Sequence, residues 1–432
     1  MGCHHGNDTG EEALGRWMGK PRSPRNGSHQ ARHTSGALGS VMALAILACG
    51  IAPATAQDEI LIGQTIPYSG PVSALSVIGN THQAFFNRLN EQGGINGRKV
   101  KLLSVDDGYS PPKTVEMTRR LVEQDKVFLM FASVGTPTNV AVHKYLNGRK
   151  VPQLFVTTGA TRWADPANFP WTMGWQQSYT GEARVFAKYI LDNIKDPKIA
   201  ILSQNDESGK DMLAGFIEGL GEAASRMIVR SVTYEATDPT VDSQIIDLKA
   251  SGANVFMNFA TPKFAAQAIR RARDLGWRPT QFVSSVSATI ASVLKPAGAD
   301  ADSNIIVTQY VKDTTDATWK DDPAMKEYLS FMSKYYPQGN TADQFGVLAY
   351  SIAQTLVQAL IKCGNDVTRE RLMKEAANLR HLKLPLLLPG IEVNTSPTNF
   401  QPIQQARLAR FDGTTYVLFG DVIDVDQPSR AK

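Results

Sequence analysis

From Glu59 onward the chain alternates short apolar runs with longer amphipathic ones, and it does so twice. Ile60–Gly63 reads as a strand, and Thr81–Asn90 as a helix with Ala84, Phe85 and Leu89 on one face. Val100–Val105 is a second strand. A helix opening at Pro112 and ending near Glu123, the apolar run Val127–Phe131, a helix from Pro137 and the strand Gln153–Val156 complete the first series. An uninterrupted apolar strand is buried on both faces, and strands separated by helical patterns imply βαβ units and a parallel sheet. After the aromatic stretch Phe169–Tyr179 the pattern restarts with a helix over Gly181–Ile194 and the strand Lys198–Leu202. Met212, Phe216 and Leu220 follow at i, i+4 spacing on a helix. Strands are expected at Val229–Tyr234, Val255–Phe259, Phe282–Ser284 and Ile305–Val307, with helices at 243–250 and 262–275. Helices at 323–336, 343–362 and 368–377 come next, and Arg407–Phe411 with Thr415–Phe419 flank Asp412-Gly413 as a hairpin. The fold class is α/β, with two doubly wound units of similar size.

A length of 432 residues agrees with two or three domains. No apolar run reaches the roughly 18 residues of a membrane span. The net charge of +4 is too small to suggest a nucleic-acid surface. Residues 1–56 hold five basic residues against three acidic ones, which leaves 40 and 38 in the body. Gly, Ser, His, Asn and Arg dominate up to Ser40; an apolar stretch Val41–Ile51 and Ala54-Thr-Ala56 follow. A basic n-region, an apolar h-region and an A-x-A site describe a secretory signal peptide cleaved after Ala56. The n-region is long, so initiation at Met18 or Met42 stays open. Ile46-Leu-Ala-Cys49 resembles a lipobox, although Leu47 fits it poorly and a soluble exported protein is favoured. Cleavage leaves Cys363 alone, so no intrachain disulfide is expected.

Catalytic constellations are missing. His82, His143 and His381 lie in unrelated segments, outside any H-x-x-x-H or C-x-x-C spacing, and no metal site or cofactor is expected. There is no G-x-S-x-G elbow and no Walker loop. Asp106-Asp107 at a strand end reads as a capping turn in preference to a carboxylate pair.

Binding features are present instead. Ser133-Val-Gly135-Thr136-Pro-Thr-Asn139 follows the strand Val127–Phe131 and opens a helix, whose free amides and dipole favour an anion. Thr157-Thr158-Gly159-Ala160-Thr161 ends the next strand with hydroxyls and a glycine. Ligands of open α/β sheets bind outside the carboxyl ends of strands; the alternative is that these are turns and caps. Trp171, Trp175 and Tyr179 concentrate between the two units, where aromatics line clefts or pack domains together.

Ile62-Gly-Gln-Thr-Ile-Pro-Tyr-Ser-Gly-Pro71, Asn90-Glu-Gln-Gly-Gly-Ile-Asn-Gly-Arg-Lys99 and Asp106-Asp107 with Pro112-Lys113 resemble the branched-chain-amino-acid type of periplasmic solute-binding protein. Asn205-Asp-Glu-Ser-Gly-Lys210 and Asp238-Pro-Thr-Val-Asp242 extend the likeness over most of residues 58–420. The resemblance implies a type I periplasmic binding protein fold: two doubly wound lobes joined by a three-segment hinge. The lobes would be 57–178 with 309–384, and 179–308 with 385–432. It also implies a monomer that delivers a small-molecule ligand to an inner-membrane ABC permease from the periplasm, with no cofactor and no nucleic acid.

Carried over by position, ligand contacts fall on Tyr68, Ser69, Ser133, Gly135, Thr136, Thr158, Gly159, Ala160 and Thr161 of the first lobe. Trp175 and Tyr179 at the crossing and Asp206, Ser208 and Thr261 of the second lobe complete the set. Two departures stand out. Amino-acid binders of the family carry an acid in the loop after the Phe282 strand, where this chain reads Ser284-Ser-Val-Ser-Ala288; Tyr109 and Val134 replace the family's disulfide. An unpaired buried ammonium is costly. The expected ligand is therefore a carboxylate without an α-ammonium, an aromatic acid stacked on Trp175 or Tyr179. The alternatives are an amino-acid binding or sensing protein and an exported α/β enzyme.

Overall fold

The apolar runs become strands of two sheets in a computed structural model that describes residues 59–426. The leader, Cys49 and the cleavage position after Ala56 lie outside the described residues. The first sheet contains β1 (Ile60–Ile66), β2 (Val100–Asp106), β3 (Leu129–Phe131), β4 (Gln153–Val156) and β5 (Thr172–Gly174) in the order β2-β1-β3-β4-β5, all parallel. The second contains β6 (Ile199–Gln204), β7 (Ile228–Tyr234), β8 (Val255–Phe259), β9 (Thr280–Val283), β10 (Ile305–Gln309), β11 (Gln405–Phe411) and β12 (Tyr416–Asp424). Its order is β12-β11-β10-β9-β8-β6-β7, parallel through β10 and antiparallel in the closing hairpin. Strand order reverses between β1 and β3 and again between β6 and β8, and such switch points open crevices at the strands' carboxyl ends. The one strand with no sequence signal is β5, whose three residues are too few to carry a period.

Helices α1 (Ser76–Glu91), α2 (Pro111–Arg119) and α3 (Thr136–Gly148) accompany the first sheet. The second sheet has α4 (Tyr179–Asn193), α5 (Glu207–Leu220), α6 (Asp242–Ala250) and α7 (Pro262–Asp274). After β10 the chain returns to the first sheet as α8 (Pro323–Tyr335), α9 (Gln344–Lys362) and α10 (Arg369–Ala376). Arg88 of α1 holds both Tyr350 (2.8 Å) and Glu327 (2.5 Å), while Phe85 meets Tyr350 edge-on, with centroids 5.1 Å apart. Helix α9 is apolar and long enough to cross a membrane, but 89% of it is buried inside the protein. An all-round apolar helix in that setting is a core element. Cys363 sits buried at its end, as the sequence implies, with Sγ 3.3 Å from the Ala359 carbonyl.

The link between β1, α1 and α9 is polar. Gln64 Nε2 donates to His82 Nδ1 at 2.8 Å, and His82 Nε2 lies 3.0 Å from the Ala349 carbonyl, so the ring holds one proton and both nitrogens are satisfied. Burial drives its pKa from 6.5 down to about 3. The Asp106-Asp107 pair forms the expected turn: Asp107 accepts from the Tyr109 amide and the Thr114 hydroxyl, and Asp106 from Ser69, Gly108 and Lys113.

A histidine held neutral in the fold but charged when unfolded supports stability above its unfolded pKa, and that support is lost as pH falls. The thermal-midpoint advantage of wild type over His82→Gln should therefore shrink between about pH 7 and about pH 4. A pH-independent difference would contradict the neutral, buried ring.

Candidate ligand-binding site

Both switch points face one cavity. From the first sheet it is lined by Gly135 and Thr136 after β3, Tyr109 after β2 and Thr157 after β4. From the second come Ser208, Phe259 and Thr261 at the ends of β6 and β8. Tyr179, Gln176 and, from α9, Phe345 close the rear. Helices α3, α5 and α7 all begin at this cavity, with Thr136, Ser208 and Pro262 in their first turns lining it. Each N-terminus carries a partial positive charge of about half a unit, which at α5 the Asp206 carboxylate offsets. Among the described residues lining the cavity there is no Asp, Glu, Lys, Arg or His.

Local sequence sets the first-lobe wall. Gly135 has φ 102°, and a Cβ there would stand 2.5 Å from Tyr109 Cε2 and 2.7 Å from Thr138 Oγ1. Only glycine lets the chain turn into α3 so close to Tyr109. Thr136 Oγ1 lies 2.5 Å from Thr158 Oγ1, and Thr158 in turn bonds the Tyr179 hydroxyl. Burial raises the Tyr179 pKa to about 12, against the pull of that bond, so the phenol stays a donor. Gly159 is required for contact with the crossing segment, since a Cβ there would lie 2.4 Å from the Gln177 carbonyl oxygen.

The sequence candidates divide. Gly135, Thr136, Tyr179, Ser208 and Thr261 line the cavity. Thr158, Gly159, Ala160 and Ser133 stand behind the wall; Ser133 Oγ accepts from the Thr65 amide at 3.1 Å and braces β1. Asp206 caps α5, accepting from Gly209 N (3.1 Å), Ser208 Oγ (2.5 Å) and Gln204 Nε2 (2.6 Å). Tyr68 bonds Ser104 at 2.7 Å and Ser69 bonds Asp106, both away from the lining. Trp175 needs correction. It is fully buried, with its indole N–H donated to Thr355 Oγ1 at 2.8 Å, and it anchors α9, leaving no face for a ligand to stack on.

Contacts across the cleft show the lobes closed. Tyr109 and Gln204 approach at 3.4 Å, Thr161 donates twice to Asp211 (2.8 and 3.0 Å), and Arg162 pairs with Glu207 at 2.7 Å. Thr161 thus joins the loop after β4 to α5. The Arg162 pair is solvent-exposed and adds little energy.

The residue the sequence reading missed is Glu182. It is buried on the first turn of α4, and its carboxylate accepts from Ser284 Oγ (3.1 Å), Ser285 N (2.7 Å), Ser285 Oγ (3.2 Å) and Thr308 Oγ1 (2.7 Å). Gln177 Nε2 reaches Ser285 and Thr308 at 3.1 and 2.6 Å. The loop that lacks an acid in sequence therefore has one behind it. Burial pushes the Glu182 pKa up while the four donors hold it back. Tyr109 and Phe345 were also missed: Tyr109 follows a strand end and was findable, whereas Phe345 reaches the cleft from a distant helix.

The periplasmic binding protein family model matches residues 59–415. The chain belongs to that family. It is 23% identical to a Leu/Ile/Val-binding protein homolog from Brucella abortus, over 74% of this chain and 81% of that protein. The fold matches a fatty acid ABC transporter substrate-binding protein from Thermomonospora curvata, with TM-score 0.73, 20% identity, and coverage of 87% of this chain and 94% of that one. It also matches a branched-chain amino acid ABC transporter protein from Thermus thermophilus with bound valine, with TM-score 0.74, 15% identity, and coverage of 85% and 97%. Family membership makes this an extracytoplasmic solute-binding protein that works with an ABC permease, and not an enzyme.

A carboxyl whose pKa is raised by folding supports stability below its unfolded pKa, and this is lost as pH rises. Wild type should lose thermal midpoint relative to Glu182→Gln between about pH 4 and about pH 7. A constant difference would contradict a buried carboxyl under strain from desolvation.

Proposed function

We propose that the cleft captures a small carboxylate with an apolar body and no ammonium group, and that the closed form presents it to the permease. The observation that carries this reading is the cavity onto which three helix N-termini open and which no ionised side chain lines. Thr136, which lines the cavity at the start of α3, would receive the carboxylate through its hydroxyl. Val72, Ile78, Met212, Phe259 and Phe345 surround the rest, and with Trp175 excluded an aromatic body would stack on Tyr179, Tyr109 or Phe345. The lobes are 57–178 with 309–384, and 179–308 with 385–432, and contacts from both favour the closed state when ligand is present. The protein acts as a periplasmic monomer after cleavage behind Ala56, as Ala54-Thr-Ala56 suggests.

Glu182 favours a second reading. Its carboxylate lies behind Ser285 on the loop that carries an acid in amino-acid binders, and the names of several relatives refer to amino acids. In that case leucine or a similar amino acid is the ligand.

Calorimetry with leucine and 4-methylpentanoate separates the two, because these differ only in the ammonium. The proposal expects 4-methylpentanoate, or a benzoate- or cinnamate-type acid, to bind at least about tenfold tighter than leucine, with a further loss of about tenfold in Thr136→Val. Tight leucine binding with none of the acids bound would establish the amino-acid reading instead.

A further inference from the structure

Behind the main cavity lies a second, more polar one. Gln176 and Phe345 line both, so the two adjoin through that pair. The rear cavity is walled by Gln309 and Tyr310 from the second crossing, Ser285 and Thr308 from the Glu182 cluster, and Gln344 at the start of α9. Two polar atoms here lack partners. Gln176 Oε1 and Gln309 Nε2 are buried without a hydrogen bond, on residues only 6% and 4% exposed. Leaving a buried polar atom unmade costs free energy, and a native fold retains such atoms where something satisfies them.

We propose that this rear cavity is a subsite for an uncharged hydrogen-bonding group, a hydroxyl or carboxamide, at the end of the ligand distal to its carboxylate. The inference rests on the carboxylate reading above and narrows it to acids with a polar, neutral far end. One orphan is an acceptor and the other a donor, which fits a group that both donates and accepts. A second carboxylate would face the buried Glu182 two atoms behind the Ser285 and Thr308 hydroxyls. An ammonium finds no open carboxylate, because four donors already occupy Glu182. A hydroxyl placed in a purely apolar pocket would lose affinity through desolvation, so any gain from it reports polar partners.

The test is calorimetry on the intact protein with matched acids: benzoate against 4-hydroxybenzoate, cinnamate against 4-hydroxycinnamate, and hexanoate against 6-hydroxyhexanoate and 6-aminohexanoate. At least one hydroxy acid should bind about tenfold or more tighter than its parent. Gln309→Leu should remove that gain and leave the parent acid's affinity unchanged, and Gln176→Leu should remove the gain as well, with thermal melts confirming the fold. The inference is overturned if every hydroxy acid binds no better than its parent, if the gain survives in a folded Gln309→Leu protein, or if 6-aminohexanoate is preferred. Should both variants fail to fold, the wild-type pairs alone decide it. Binding of parent acids without a hydroxyl gain would leave the carboxylate reading standing; binding of none would remove both.

Discussion

A buried carboxylate with neutral partners organises the hinge. Glu182 draws two serines and a threonine from the loop after β9 and the end of β10 onto the start of α4, and Gln177 ties the same hydroxyls to the first crossing. Taking one of these donors away would leave part of a charge unpaired in the interior, at a cost of several kcal/mol by general experience with buried ions. The cluster thus fixes where the crossing enters α4, and with it the positions of Gln176 and Tyr179 at the back of the cleft.

The proposed selectivity rests on the contrast between that hidden charge and the cleft wall. The N-termini of α3 and α7 offer an anion fractional positive charge, each worth up to about 2 kcal/mol when partly buried, whereas that of α5 is already met by the Asp206 carboxylate. Of the lining hydroxyls, Ser208 already donates to Asp206 and Tyr179 already bonds Thr158, which leaves Thr136 as the donor facing the space. An ammonium in the same space meets the same dipoles with the opposite sign and finds no lining acid, and its desolvation exceeds what hydroxyl oxygens return. On the proposed reading, the dipoles and the missing lining acid favour an anion without a cation beside it. Two carboxylates oppose them: Asp206, which caps α5 just behind the wall, and Glu182, from behind its own donors.

Much of the architecture was legible in the sequence because strands and helices carry periods. The strand Val255–Phe259 appears with the boundaries its apolar run implies, and α3 opens at the Gly135-Thr136-Pro137 signal. The loops after β3 and β4 were marked by small and hydroxyl residues at strand ends, and they do form the first-lobe wall. The side to which a residue points was not legible. Trp175 looked like a cleft aromatic, yet its partner Thr355 lies 180 residues away on α9, where no local pattern could announce it. Glu182 reads as an ordinary helical acid, since its meaning comes from Ser284, Ser285 and Thr308, brought to it by the second sheet. Tyr109, standing at a family cysteine position, turned out to reach across the cleft toward Gln204.

The most direct measurement is native mass spectrometry of the protein purified from its own host, followed by release and identification of whatever the cleft retains. The account predicts a small organic acid that contains no amine. Recovery of leucine, valine or another α-amino acid as the retained species would contradict it, and would place the ammonium against the Glu182 cluster.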